Sequence, residues 1–201
     1  LWRAVSINNE EKTVKLVTQW NISTVSYNAS DSTAFAGSYM EEWLNDTSVD
    51  GFLGNLRDPD KFIVTDSVWD ATMNDREYGS ITRPNGTITV TDAVGLLNLY
   101  EYQTSNHGIS YGTGYLSNNG LNWLLLTPYG ASHVWYIFYD GQAYNCSSAS
   151  DIISGIWPSI NLKSHVKIVD GDGTIDNPYR LNGDNDTNLS GTLLNKRYSG
   201  E

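Results

Sequence analysis

Between Gly120 and Leu181 one strand signal follows another, and this stretch constrains the fold more than any other. Leu121–Thr127 is an apolar run closed by Pro128, and Val134–Tyr139 carries Trp135, Tyr136, Phe138 and Tyr139. Aromatic and β-branched residues bounded by turn formers suit a pleated, half-buried surface. Asp140-Gly141 is a tight-turn pair leading into Gln142–Cys146, so a hairpin is expected. Ile156–Leu162 reads as the next strand, with Pro158 at its start or edge because proline cannot donate to a ladder. Short strands at Val166–Val169 and Tyr179–Leu181 flank an Asp- and Gly-rich turn. Three of the seven tryptophans lie in this stretch, which we take as the core sheet.

The N-terminal half adds a hairpin and helices. Leu1–Ile7 and Thr13–Thr18 alternate in strand fashion around the polar turn Asn8–Lys12. Asn21–Thr33 reads as a loop. Ser38-Tyr39-Met40-Glu41 is a capping box, in which the Ser hydroxyl accepts from the Glu41 N–H and the Glu carboxylate reaches back. It predicts a helix of two to three turns that buries Tyr39, Met40, Trp43 and Leu44 and ends at Asn45-Asp46. Phe52, Leu53 and Leu56 suggest a further helical turn that Asp58-Pro59 stops. Phe62–Thr65 reads as a short buried strand, and Ser67–Ile88 as polar and turn-rich. Val94, Leu97 and Tyr100, with Leu96 and Leu99, predict a second helix over Ala93–Tyr102, capped by Thr91 or Asp92. Gly108–Asn119 is another long loop.

Two amphipathic helices and a mostly antiparallel sheet make an α+β domain. Loops of this length are uncommon in a compact domain unless they carry function. The chain of 201 residues is read as one domain over residues 1–182, with 183–201 as a linker or the first strand of a following unit. The abrupt start on LWRAVSI suggests a fragment of a longer precursor.

A net charge of −11, with 12 scattered basic residues, argues against a nucleic-acid partner or an anionic membrane surface. No apolar run is long enough to span a bilayer. One cysteine, Cys146, leaves no intramolecular disulfide and no multi-cysteine zinc site. Abundant Asn, Ser, Thr, Gly and Tyr has the flavour of secreted or surface β-proteins of bacteria. Sequons such as those at Asn21, Asn45 and Asn188 are read as compositional in so Asn-rich a chain.

Four elements of the C-terminal half together resemble a known pattern. They are Trp123-Leu124-Leu125-Leu126-Thr127-Pro128, Tyr139-Asp140-Gly141, Trp157-Pro158-Ser159-Ile160-Asn161-Leu162-Lys163, and Gly171-Asp172-Gly173-Thr174 with Asn177-Pro178-Tyr179. The pattern is similar to that of a large family of extracellular domains of unknown function, mostly from Gram-positive bacteria. Ser38–Asp46 and Val94–Tyr102 look like that family's two helices, so the resemblance covers roughly residues 1–181. It implies a C-type-lectin-like fold, related to formylglycine-generating enzymes: two helices packed on a twisted, mostly antiparallel sheet with long loops. It also implies an extracellular or cell-surface location. Where the family usually has Arg before the proline, this chain has Trp157. The tail Gly183–Glu201 looks like the opening of another such unit. Leu193–Tyr198 is accordingly expected to add a strand to the sheet edge, in cis or on a second copy.

The formylglycine-generating relatives use a cysteine pair, which Cys146 alone cannot supply, so it reads as a structural thiol. His107, His133 and His165 show no metal-ligand spacing, and no G-x-S-x-G elbow supports a serine nucleophile. Glu41-Glu42 and Asp75/Glu77 are carboxylate pairs, but Glu41 is already explained by capping. Asp170, Asp172 and Asp176 alternate as calcium ligands do, as do Asp184, Asp186 and Asn188. Neither loop has the closing Glu, and the first is better explained as an Asx-rich turn. Tyr111, Tyr115, Tyr129 and Trp135 are the candidate ligand-binding aromatics, against the alternative that Trp135 is core and the tyrosines cover it. The reading is a non-enzymatic recognition or adhesion module for a glycan or protein, needing no cofactor, calcium excepted. The alternative is a structural unit of a surface fibre or pilus-like protein.

Overall fold

The computed structural model describes residues 1–74, 82–105, 116, 121–150 and 154–182. The chain opens with the expected hairpin, β1 (Trp2–Asn8) and β2 (Thr13–Thr18). Helix α1 (Tyr39–Asn45) follows, then a 3-10 turn at Leu53–Asn55 and the single-turn helix α2 (Pro59–Phe62). Next come β3 (Ser67–Asp70), β4 (Thr89–Asp92), β5 (Val94–Gly95) and helix α3 (Leu99–Ser105). The C-terminal half supplies β6 (Trp123–Tyr129), β7 (His133–Ile137), β8 (Ala143–Ser148), β9 (Ser159–Leu162), β10 (Lys167–Asp170) and β11 (Arg180–Asn182).

Among the described residues all paired strands run antiparallel, and the chain is α+β. A four-stranded sheet runs β1-β2-β9-β5, so the N-terminal hairpin is completed by a strand about 145 residues further on. β6-β7-β8 form a three-stranded sheet, while β3-β4 and β10-β11 are two-stranded ribbons. β6 ties the larger sheets together: the Leu126 N–H donates to Leu97 O at 2.9 Å and the Leu124 N–H to Gly155 O at 3.0 Å.

Side chains alternate between strand faces, and here both faces are covered. Leu16, Leu124, Leu126, Val134 and Ile160 join one core with Met40 and Leu44 of α1, Tyr27, Phe35 and Trp69. Their chain neighbours Val17, Trp123, Leu125, Trp135 and Trp157 join a second core with Leu99 and Tyr102 of α3. Two-sided burial is why β6 reads as a continuous apolar run rather than an alternating one.

Several boundaries differ from expectation. Pro128 lies inside β6, opposite Val134, where β6 has β7 on one side and Pro128 needs to donate nothing. Phe62–Thr65 is not a strand: Phe62 ends α2 and only Ile63 makes a bridge, to Leu162. Pro59 starts α2 rather than stopping a helix, since its missing N–H is no loss in a first turn. Ser67–Asp70, expected as loop, pairs with Thr89–Asp92 and buries Trp69. The second helix begins at Leu99, not Ala93. Val94 and Gly95 are drawn into the sheet by Ile160 and Ser159. Asn98 then caps: its Oδ1 accepts the Glu101 N–H at 2.9 Å, and Glu101 Oε2 accepts the Asn98 N–H at 3.0 Å. In α1, Ser38 accepts the Glu41 N–H at 3.1 Å as expected, but Glu41 takes the Gly37 N–H instead of Ser38's. Met40 and Leu44 are buried, Trp43 is half-buried, and Tyr39 is exposed because it starts the helix on the solvent side.

Candidate functional site

An aromatic face forms where β7 turns into β8. Tyr136 pairs in register with Tyr144 across the ladder, with ring centres 5.9 Å apart. Phe138 meets Tyr144 at 5.6 Å and Tyr139 at 4.2 Å. The hairpin sets this up: Gly141 at φ +86° permits the turn, with the Gly141 N–H on Phe138 O at 2.9 Å and the Phe138 N–H on Gln142 O at 2.8 Å. Tyr139 is 56% exposed, so the cluster presents a ring to solvent. Asp140 and Gln142 border it; Asp140 accepts the Gln142 N–H and side-chain amide, and Gln142 Oε1 accepts from Tyr144 OH at 3.1 Å. A fixed ring beside a carboxylate and an amide can stack on an apolar ligand face and hydrogen-bond its rim.

Of the candidate ligand-binding aromatics, Tyr111 and Tyr115 lie outside the described residues. Trp135 is buried, donating its indole N–H to Asn74 O at 2.8 Å, and half-buried Tyr129 meets it edge-on at 5.8 Å. Trp135 is thus a core residue and not a stacking platform. Tyr136 of β7 and Phe138 just beyond its end carry the aromatic face instead. The Phe138 N–H on Gln142 O leaves three residues in the turn and sets Tyr136 opposite Tyr144, whereas a two-residue Asp140-Gly141 turn would set Ile137 there, so the sequence signal alone did not bring these rings together.

The acidic turn is held by its own hydrogen bonds. Asp172 Oδ1 accepts the Thr174 N–H at 3.0 Å and the Thr174 hydroxyl at 2.7 Å, which holds its carboxyl below the usual range. Asp170 pairs with Arg180, and Asp176 is exposed. Asp172 therefore spends its oxygen on an Asx turn and Asp170 spends its carboxylate on the Arg180 ion pair. Among the described residues no three His, Cys, Asp or Glu side chains converge as metal ligands. Residues 184–188, His107, Asp75, Glu77, Leu193–Tyr198 and the Cys146 side chain lie outside the described residues.

Serine, histidine and aspartate do meet near β8, but not as a relay. Asp31 Oδ1 accepts from Ser148 at 3.0 Å and from Ser150 at 2.7 Å, while His133 Nδ1 contacts its neighbour Ser132. These donors keep the Asp31 carboxyl below its ordinary range. A relay needs the carboxylate on the imidazole, and among the described residues no hydrogen bond joins Asp31 to His133.

Glu41 finds its carboxyl partner across the fold rather than in Glu42. It lies against Asp92 at the end of β4, where Asp92 Oδ2 is buried and, among the described residues, accepts no hydrogen bond from a backbone or amide donor. Asn45, one turn along α1, holds Val94 by both backbone groups at 2.9 and 3.0 Å, which fixes the approach. Burial, then the Glu41 charge and a hydrogen bond with Glu41, push the Asp92 carboxyl up to about 7. A raised carboxyl pKa stabilises the fold at low pH and loses that contribution as pH rises from about 4, the unfolded value, through about 7. Asp92 is half exposed, so screening reduces the effect; Asp92→Asn is expected to gain about 1–2 kcal/mol at pH 8. Chemical denaturation from pH 4 to 8 checks this, with the variant showing a flatter profile; an unchanged slope counts against the Glu41–Asp92 pairing.

Comparison of the chain with protein-family models, with curated proteins and with solved structures returned no match.

Proposed function

We propose that this chain is a non-catalytic recognition or adhesion domain of a bacterial cell surface or secretome, built on a C-type-lectin-like scaffold. It meets a glycan or a protein through the turns and loops of its sheets. The observation that carries the reading is the aromatic face of Tyr136, Phe138, Tyr139 and Tyr144, with Tyr139 open to solvent. Exposed Tyr beside polar side chains is the composition of binding surfaces, where large rigid rings give contact area at low entropic cost. The test is binding to a glycan panel and to whole bacterial cells, with calcium present and absent. Tyr139→Ala is expected to weaken binding by roughly tenfold or more, as for a hot-spot aromatic. Binding that ignores Tyr139, or none to any glycan or cell, counts against it.

A second reading, a structural unit that assembles with copies of itself, is favoured by the β10–β11 ribbon. β10 is exposed along its length, and Ile168, Val169 and Ile175 are apolar residues left in water. Sedimentation across a range of concentrations separates the readings, since assembly makes mass rise with concentration.

A further inference from the structure

We propose that the cleft beside the first turn of α3 binds the carboxylate-bearing ring of an acidic saccharide, a uronate or sialate unit. This rests on the recognition reading and names a ligand class for it. The cleft measures about 250 Å³, enclosed by residues 72–74 after β3, residues 82–85 before β4, the start of α3, and Thr127 of β6. Drug-sized ligands ask for about 300 Å³ or more, so the space suits a single sugar ring.

The chemistry of its walls is dominated by donors. Asn85 Oδ1 accepts the Thr87 N–H at 3.1 Å, and Asn98 Oδ1 accepts the Glu101 N–H at 2.9 Å. With each oxygen held by a backbone donor, the amide orientation is forced and the NH₂ group is what remains for a ligand. Neither NH₂ makes a hydrogen bond among the described residues. Arg83 adds a guanidinium that has no ion pair among the described residues, whereas Lys15, Arg57, Lys61 and Arg180 each face a carboxylate. Among the described residues the nearby acidic groups are occupied. Asp70 accepts the Thr72 N–H at 3.0 Å and the Gly86 N–H at 2.9 Å, and Glu101 holds Lys15 and the Asn98 N–H. Two amide donors and an uncommitted fork-shaped cation match a carboxylate, which Arg binds with two parallel bonds. Met73, Pro84 and Tyr100 supply apolar surface for the C–H face of a sugar.

The test titrates the whole chain with sodium glucuronate and with N-acetylneuraminate, followed by amide chemical shifts, with glucose, acetate and inorganic phosphate as comparison ligands. Saturable shifts with the acidic sugars, and roughly tenfold weaker binding of glucose and of acetate, are expected. Arg83→Gln is expected to weaken the acidic sugars by roughly tenfold or more with the unfolding midpoint unchanged, because Arg83 is exposed. Asn85→Asp should weaken them too, by placing a carboxylate where the donor stood. Absent binding, equal binding by the Arg83 variant, or acetate and phosphate binding as well as glucuronate overturns the proposal. If Tyr139-dependent binding to cells persists while the acidic sugars fail, the cleft assignment falls and the recognition reading stands.

Discussion

Replacing Trp123 by alanine lowers the unfolding free energy by about 3–5 kcal/mol, the range for deleting a large aromatic from a core. Trp123 is fully buried and stands edge-on between two other rings, Trp157 at 4.4 Å and Tyr102 at 5.3 Å. It therefore joins three elements: β6, the segment leading into β9, and α3. Tyr102 extends the link by donating its hydroxyl to Gly141 O at 2.7 Å, at the turn that carries the aromatic face. The loss should appear in urea as a lower midpoint with an unchanged slope. Trp157→Phe is the control. Among the described residues the buried Trp157 indole N–H has no hydrogen-bond partner, so phenylalanine removes volume but none of the described hydrogen bonds. Its cost should be well below that of Trp123→Ala, and equal costs would show that Trp123 is not the joint.

Gly95→Ala is expected to destabilise by about 1–3 kcal/mol or more through overpacking. A Cβ at Gly95 would fall inside the Trp69 indole, 2.7 Å from Cε3. Trp69 cannot readily retreat. It is fully buried, its Nε1 donates to Asp92 O at 2.9 Å, and the Lys15 ammonium stands 4.5 Å from the ring centre. Both β3–β4 and the β5–β9 pairing should loosen as the ring shifts. Combining Gly95→Ala with Trp69→Leu, which makes room, should cost less than the sum of the two single changes. Strict additivity would mean that the methyl and the indole do not compete. Gly130→Ala offers a contrast. That glycine, at φ +68°, has nothing within 4 Å of an added Cβ, so its cost is backbone strain alone.

Structures held by neighbours in the chain were legible before any tertiary contact was known. The β1–β2 hairpin, the Ser38–Glu41 cap, the Asp140-Gly141 turn and the Asx turn at Asp172 each depend on a few adjacent residues whose side chains satisfy local backbone groups. The same locality made the apolar run of β6 visible, although not why it is apolar on both faces.

Other features depend on partners distant in the chain. Ser67–Asp70 is a strand because β4 pairs with it and the core accepts Trp69, which a polar local sequence does not announce. The helical spacing from Val94 to Tyr100 is real, but Ile160 and Ser159 claim its first residues for the sheet. Thr127 Oγ1 takes the Leu99 N–H at 2.9 Å at the start that Asn98 then caps. The site candidates divide in the same way. Trp135 and Tyr136 are consecutive aromatics of one strand, and only the layer packed on each face left one fully buried and the other half-buried at the edge of the opposite core. Arg83, Asn85 and Asn98 carry no motif; the β3–β4 hairpin and the late start of α3 bring them to one cleft. The sequence by itself determined the α+β class, the turns and the caps, because these are short-range hydrogen-bond problems. Tertiary structure alone decided which face of each strand is buried, where α3 begins and which side chains share a cleft, because burial and long-range pairing override local preference.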